Sequence, residues 1–368
     1  MKEEDLFFTL ALTKVNGVGP IIGKRLIENF GTAKGVFDAS YHELVSKRVA
    51  ASLALQIQAK KGFSWAEKEV KLIEQEKITP LFYQAKAYPY YLRQCEDSPL
   101  LLFAKGNLTE NWSSRNVVSI VGTRNPSTRG LDFCAKFMEA VQGYNPIIIS
   151  GLAYGIDICV HKQALAFGLE TYGVLGHGLN QIYPAKHGAI AKKMLKKGGL
   201  LTEFAVQSRI ERENFIQRNR LVAGSSQATL VVESAIKGGS MSSITFANDY
   251  NRDVFAVPGR IDDPMSQGCN ELIRTQRAQL LSDPLELIEC LNWNKNKEKT
   301  KAIQPLLFVN LNADEQIIYD YLCQTQRDVI DLIALNCSLP IYKVSTILLQ
   351  LELQGLVRPL PGKYFELV

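Results

Sequence analysis

The stretch Val117–Gly130, VVSIVGTRNPSTRG, decides how this chain is read. Val117 to Val121 is a short β-branched run of the kind that forms a buried parallel strand. It stops at Gly122 and is followed by a small hydroxyl (Thr123), a permanent cation (Arg124), a turn at Asn125-Pro126-Ser127 and a helix start near Thr128. Pro126 cannot continue a strand, and Ser127 or Thr128 can cap a helix. The product is a strand–loop–helix whose loop offers backbone N–H groups and one arginine to an anion. It lacks the GK[ST] of a Walker A loop and the GxGxxG of a dinucleotide turn. Taken alone, the same residues also describe an ordinary βα turn with a solvated arginine.

What lifts the anion-binding reading is repetition. From Ser113 to about Leu291 apolar strands alternate with amphipathic helices. Strands are expected at Val117–Val121, Ile147–Ser150, Thr171–Leu175, Leu200–Thr202, Thr229–Val232 and Val254–Val257. Helices are expected to start near Thr128, Ile156, Lys186, Glu211 and Ser240. Such alternation builds a Rossmann-like, doubly wound and mostly parallel α/β sheet, whose strand-end loops gather along one edge where ligands bind. Those loops (GTRNPS, SGLAYGID, GHGLNQIYP, TEF, ESAIKGGS, PGRIDD) nearly all carry glycine with a hydroxyl or a charge. Together they point to a phosphate-bearing ligand.

Outward from this domain, residues 1–77 read as helices. LTKVNGVGPIIGKRLIENFG has the pattern of a helix-hairpin-helix, with the glycine turn Asn16-Gly17-Val18-Gly19, Pro20 at a helix start and Gly31 at its end. In that motif backbone N–H groups of the hairpin meet a nucleic-acid phosphate without reading bases, and Lys24 and Arg25 lie just beyond it. A helical bundle that only packs or contacts protein fits the same residues. Residues 78–111 suggest a few short extended pieces laid against the sheet domain, which as a whole is expected over 78–291. Residues 292–310 read as a basic polar linker. Residues 311–368 suggest two helices, a third opened by Pro340, and a β wing: a winged-helix domain. Four basic residues against seven acidic ones there argue against groove binding, since phosphate neutralisation supplies most non-specific affinity. A protein-contact role is expected.

Composition narrows the class. In 368 residues, 46% hydrophobic and 21% charged content describes a folded globular chain of two to four domains. A net charge of +5 permits a polyanionic partner without demanding one. Seven scattered cysteines show no CxxC or Cys/His spacing, so neither a disulfide framework nor a zinc site is expected. No apolar run reaches membrane-span length, and the start MKEEDLFF is acidic where a signal peptide is basic. A cytoplasmic location is the expectation.

Over about Leu81 to Pro284 the chain closely resembles the DprA/Smf family of DNA-processing proteins. The resemblance is carried by SIVGTRNPSTRG, IISGLAYGIDICVHKQAL, GVLGHGLNQIYPAKH, ENFIQRNRLVAG, RDVFAVPGRIDD and QGCNELIRTQRAQLLSDP, in number, order and spacing. It implies single-stranded DNA binding, a homodimer formed through the Rossmann-like domain, and loading of the RecA recombinase during natural transformation, without catalytic residues, metal or cofactor. It places the phosphate-binding loop at Gly122, Thr123 and Arg124, with Ser150 and Gly151 on the next loop and Gly176 and Gly178 on the third. Phe215, Arg218, Asn219 and Arg220 fall in the family's aromatic-then-RNR stretch, and Gly238, Gly239 and Ser240 end the series. Ile216, Asn180 and His187 depart from the family's usual proline, aspartate and asparagine, and Met241-Ser242-Ser243-Ile244 from its usual apolar run. Arginine forks suit phosphate, and an aromatic face suits base stacking. Phe215 also fits a core position, and Arg218 and Arg220 also fit salt bridges to Glu211, Glu213 or Glu233.

The competing class is a Rossmann-like nucleotide hydrolase resembling the PGGxGTxxE phosphoribohydrolases. Asp157 and His161, one helical turn apart, could be drawn with Glu203 and Glu233 as an acid–base set, or could simply fix the loop and its helix. KGGSMSSITFAND lacks that motif's glutamate, which favours the binding protein.

Overall fold

The computed structural model describes residues 3–293, 311–354, 356–360 and 363–367. Beyond Trp293 the expected linker lies outside them. The chain divides into two units, residues 1–297 and 298–368, and each is described by itself.

The first unit begins with α1 (Glu3–Thr13) and α2 (Pro20–Phe30). Pro20 opens α2, where its missing N–H costs nothing, and Gly31 ends it at φ +80°, a conformation that side chains resist. Helices α3 (Ala33–Asp38), α4 (Tyr41–Ser46), α5 (Ala51–Gln58) and α6 (Phe63–Gln75) follow. Thr32 caps α3, and Ser40 with Glu43 forms a capping box on α4.

The sheet then builds from β1 (Thr79–Phe82), α7 (Tyr90–Arg93), β2 (Leu101–Gly106), β3 (Val117–Val121), α8 (Thr128–Val141), β4 (Ile147–Ser150) and α9 (Ile156–Ala166). It continues with β5 (Thr171–Val174), α10 (Gly188–Met194), β6 (Gly198–Thr202), α11 (Arg212–Gly224), β7 (Ala228–Val231), α12 (Ser240–Asp249) and β8 (Asp253–Ala256). α13 (Gln267–Arg274), β9 (Gln279–Leu280) and α14 (Pro284–Cys290) close the unit. The strand order is β1-β2-β6-β5-β4-β3-β7-β8-β9. β3 to β9 run parallel. β1 and β2 add an antiparallel edge, with Phe103 opposite Thr202 and Lys105 opposite Leu200. Thr79–Phe82 and Leu101–Gly106 are therefore strands of the sheet, not pieces laid on it.

Alternation along β3 shows how both faces are covered. Val117 and Val121 enter the core shared with α1–α6 and α10–α13, while Val118 and Ile120 enter the core of α8, α9 and α14. The chain winds outward from β3 in one direction through β4, β5 and β6, and in the other through β7, β8 and β9. The order reverses between β3 and β7, and the crevice beyond the carboxyl ends of these strands is where such sheets bind ligands.

The second unit has α15 (Ala313–Thr325), β10 (Arg327–Val329), α16 (Ile330–Asn336), α17 (Ile341–Leu353), β11 (Val357–Leu360) and β12 (Tyr364–Leu367). The strands pair in the order β10-β12-β11, and Ile318, Leu322, Ile333, Val344, Leu348 and Leu351 form its apolar centre. This is a winged helix. No single helix among the described residues is long and apolar enough to cross a membrane.

Candidate nucleic-acid interface

At the β3–β7 reversal the strand-end loops enclose a groove of about 780 Å³. Its β3 side is a tightly braced loop. Thr123 N–H donates to Glu233 O (2.7 Å) and Thr123 O accepts from Ile156 N–H (3.1 Å). Ser127 caps α8 by accepting from Gly130 N–H (3.2 Å), while its own N–H and hydroxyl both donate to the Glu233 carboxylate. Two glycines make this possible. A Cβ at Gly130 would sit 2.7 Å from the Glu233 carboxyl carbon, and one at Gly155 (φ +77°) would sit 2.2 Å from Thr123 O. With the loop held from behind, Arg124 projects exposed into the groove and makes no ion pair among the described residues.

The opposite wall is the start of α11. Phe215 lines the groove with its ring 5.8 Å from that of Tyr183, which is 45% exposed on the loop after β5. Arg218, one turn further on, is 4% exposed. Its Nη1 donates to Gly151 O (2.6 Å) and to Val174 O, and Nε donates to Asn219 Oδ1 (3.1 Å). Burial lowers its pKa to about 10, so it stays charged at neutral pH. Asp157 takes Gly151 N–H (3.1 Å) and Ala153 N–H (3.3 Å); burial raises its pKa and Arg218 opposes the rise. Asn219 Nδ2 ties this wall to the β7 loop through Ser242 Oγ (2.8 Å) and Gly239 O (3.3 Å). Four cations, Arg124, Arg212, Arg218 and Lys237, face the groove against two carboxylates, Glu211 and the loop-bound Asp157. The result is a cationic groove that holds two partly exposed rings in its lining.

Of the residues nominated from sequence, Gly122, Thr123, Arg124, Phe215, Arg218, Asn219, Gly238, Gly239 and Ser240 line this groove. Five do not. Ser150 is buried and donates to Ile120 O (2.6 Å). Gly151 makes room for Arg218, whose guanidinium would lie 2.6 Å from a Cβ there. Gly176 lets Phe215 approach and Gly178 lets Val206 O approach. Arg220, 7% exposed, leaves the site altogether: it pairs with the Glu203 carboxylate and donates to Asp97 O (2.8 Å). Residues two apart on a helix point to different faces, so the two arginines of RNR cannot serve one groove. Its partner is Glu203, not Glu211, Glu213 or Glu233. Lys24 is likewise removed from phosphate, donating to Ser98 Oγ (2.7 Å), Glu96 O (2.8 Å) and Cys95 O (3.3 Å). Tyr183, Arg212 and Lys237 were not nominated; the aromatic before Pro184 in a strand-end loop was the available signal for Tyr183.

The acid–base set is dispersed. Glu233 is spent on Ser127, Asp157 on loop amides, and Glu203 on Arg220 behind α11. His161 Nδ1 meets Thr171 Oγ1 (2.7 Å) in the core, where burial lowers its pKa to about 3.

Residues 79–292 match the model of DNA recombination-mediator protein A, and residues 305–363 that of the DprA winged helix domain. The chain belongs to the DNA recombination-mediator protein A family. Protein Smf of Escherichia coli is 34% identical over 291 residues, covering 76% of this chain and 75% of that one. Protein Smf of Synechocystis is 29% identical over 408 residues and covers both chains fully. Among solved structures, DNA processing protein A from Streptococcus pneumoniae has a TM-score of 0.65 at 26% identity, covering 78% of this chain and 98% of that chain. A structure of the Helicobacter pylori family member, described by its single-stranded DNA binding mode, has a TM-score of 0.53 at 26% identity and covers 59% of this chain and 98% of that chain.

Proposed function

We propose that this DNA-processing protein binds single-stranded DNA in the β3–β7 groove, without sequence preference, and does so as a homodimer built on the sheet domain. In this reading it acts in the cytoplasm, protecting incoming single strands and loading the RecA recombinase onto them during natural transformation. It needs no catalytic residue and no cofactor. The observation that carries the reading is the pairing of exposed Arg124 with the Phe215–Tyr183 rings across one slot: a fixed cation for the backbone and faces for the bases, the two elements of sequence-tolerant strand binding. The Helicobacter relative, which binds single-stranded DNA, adds family support. The winged helix, net acidic, serves as a protein contact.

Fluorescence anisotropy of labelled oligothymidine tests it. Binding is expected to weaken linearly on a log–log salt scale. Phe215→Ala and Tyr183→Ala should each cost about 1–3 kcal/mol per stacked base and leave that slope unchanged. Absence of binding at low salt, or unchanged affinity in both variants, overturns the reading.

A further inference from the structure

The positive charge of this chain is concentrated in one stretch. Between Asp157, held by loop amides, and Glu203, paired with Arg220, residues 158–202 carry six lysines and one carboxylate. That excess equals the whole net charge of +5, so the remaining residues balance. The one carboxylate, Glu170, pairs with Arg115 (2.7 Å). Lys162 on α9, Lys186 before α10, and Lys192, Lys193, Lys196 and Lys197 on and after it are all exposed. None of the six makes an ion pair among the described residues.

Packing brings lysines of separate segments together. α10 packs against α9, and Lys197 Nζ lies 3.3 Å from the place of a Cβ on Gly168, just past the end of α9. Like charges crowded in this way repel, and no free carboxylate relieves them. A helix C-terminus favours cations in its last turn, which accounts for Lys192 and Lys193 and leaves the other four unexplained. Of the large apolar side chains in residues 155–209, Tyr183 alone is exposed among the described residues. A protein partner is held by buried aromatic and apolar anchors, which this face lacks. A polyanion needs only the charges.

We propose that the lysine face of α9 and α10 carries the sugar-phosphate backbone of a single strand onward from the groove. This rests on the groove reading, which brings the strand to Tyr183. Tyr183 lines the groove, Lys186 follows three residues on, and α10 (Gly188–Met194), about 10 Å long, leads from there to Lys196 and Lys197. Lysine is a point charge on a flexible stem, so it follows a backbone without fixing its register or reading its bases. The face therefore lengthens the bound strand without selecting a sequence, and affinity should keep rising with strand length beyond what the groove holds.

Anisotropy with the full chain and labelled oligothymidines of about four and about thirty nucleotides tests this, one within and one beyond a compact strand site. Lys192→Gln/Lys193→Gln and Lys196→Gln/Lys197→Gln, separately and combined, remove only exposed charges. Either pair keeps the test should the other disturb folding, which circular dichroism reads. The combined variant should bind the long strand about tenfold or more weakly at low salt, with the log–log slope lower by about 0.7 for each phosphate given up. The short strand should bind as to wild type. Unchanged long-strand affinity and slope overturn the proposal; a loss seen instead with a duplex of the same length, or with anionic vesicles, would assign the face to those. Equal losses for both lengths overturn it too, since the lysines would then belong to the groove. Arg124→Ala tests the groove apart and should weaken both lengths. If it weakens neither while the lysine variants weaken the long strand, the groove reading falls and the lysine face stands.

Discussion

Arg124 and Arg220 carry the same charge on the same polypeptide and do opposite things, which their substitution by alanine separates. Arg124 is exposed and unpaired among the described residues, so its loss should change stability by no more than about 0.5 kcal/mol. A charge-assisted phosphate contact contributes on the order of 1.5–3 kcal/mol, and losing it should weaken oligothymidine binding about ten- to a hundredfold. The log–log salt slope should fall by about 0.7. Arg220→Ala instead strands Glu203 and Asp97 without their cation, and breaking a buried pair costs about 3–5 kcal/mol. Its signature should be a lower urea midpoint with the salt slope unchanged. Denaturation and anisotropy on the two variants together check the assignment; equal salt slopes for Arg124→Ala and wild type would remove the β3 loop from the site.

At the scale of elements, α9 is fastened to the sheet through a histidine that must stay neutral. His161 sits on α9 and meets Thr171 at the start of β5, and burial lowers its pKa to about 3 from 6.5. The unfolded chain thus binds a proton below about pH 6.5 that the folded chain refuses down to about pH 3. The unfolded state holds more protons in that window, so this contribution is full above pH 6.5 and is lost as pH falls. Glu203, raised to about 7 by burial, acts in the other direction: its contribution is lost as pH rises from about 4.5 to about 7. The two offset each other in the intact protein, so the informative quantity is the difference from His161→Gln. Between pH 7 and pH 5 the stability advantage of wild type over this variant should shrink by on the order of 2 kcal/mol, read from urea unfolding at both values. A constant difference would mean that His161 titrates normally.

For the whole molecule, the division into two units separates the groove from the winged helix. The groove is complete within the first unit, and the second carries four basic against seven acidic residues. A chain ending at Trp293 should keep nearly all oligothymidine affinity, with circular dichroism confirming that it is folded. Loss of affinity in that folded fragment would give the winged helix a direct part in strand binding. Light scattering of the full chain should give about twice the 41.1 kDa chain mass; a monomer at micromolar concentration would sink the homodimer.

Much of this was decided locally. β-branched runs stopped by glycine define β3 and β4, and Ser127 and Pro20 mark helix starts, because periodicity, capping and turn chemistry act over a few residues. The gathering of strand-end loops at one edge follows from parallel winding, which brings Gly122–Arg124 and Gly238–Ser240 together, whereas Phe215 on α11 was placed only by the family resemblance. The divergence of Arg218 and Arg220 was missed: the sequence reading gave both to phosphate, although a two-residue spacing on a helix puts them on different faces. Their partners were not legible. Glu203 reaches Arg220, Cys95–Ser98 captures Lys24, Tyr183 meets Phe215, and β1 and β2 extend the sheet only because distant segments pack side by side. A residue's spacing sets which face of its own element it occupies; what that face meets is set by long-range packing, and there the structure alone decides whether a cation is free for a ligand or already bound.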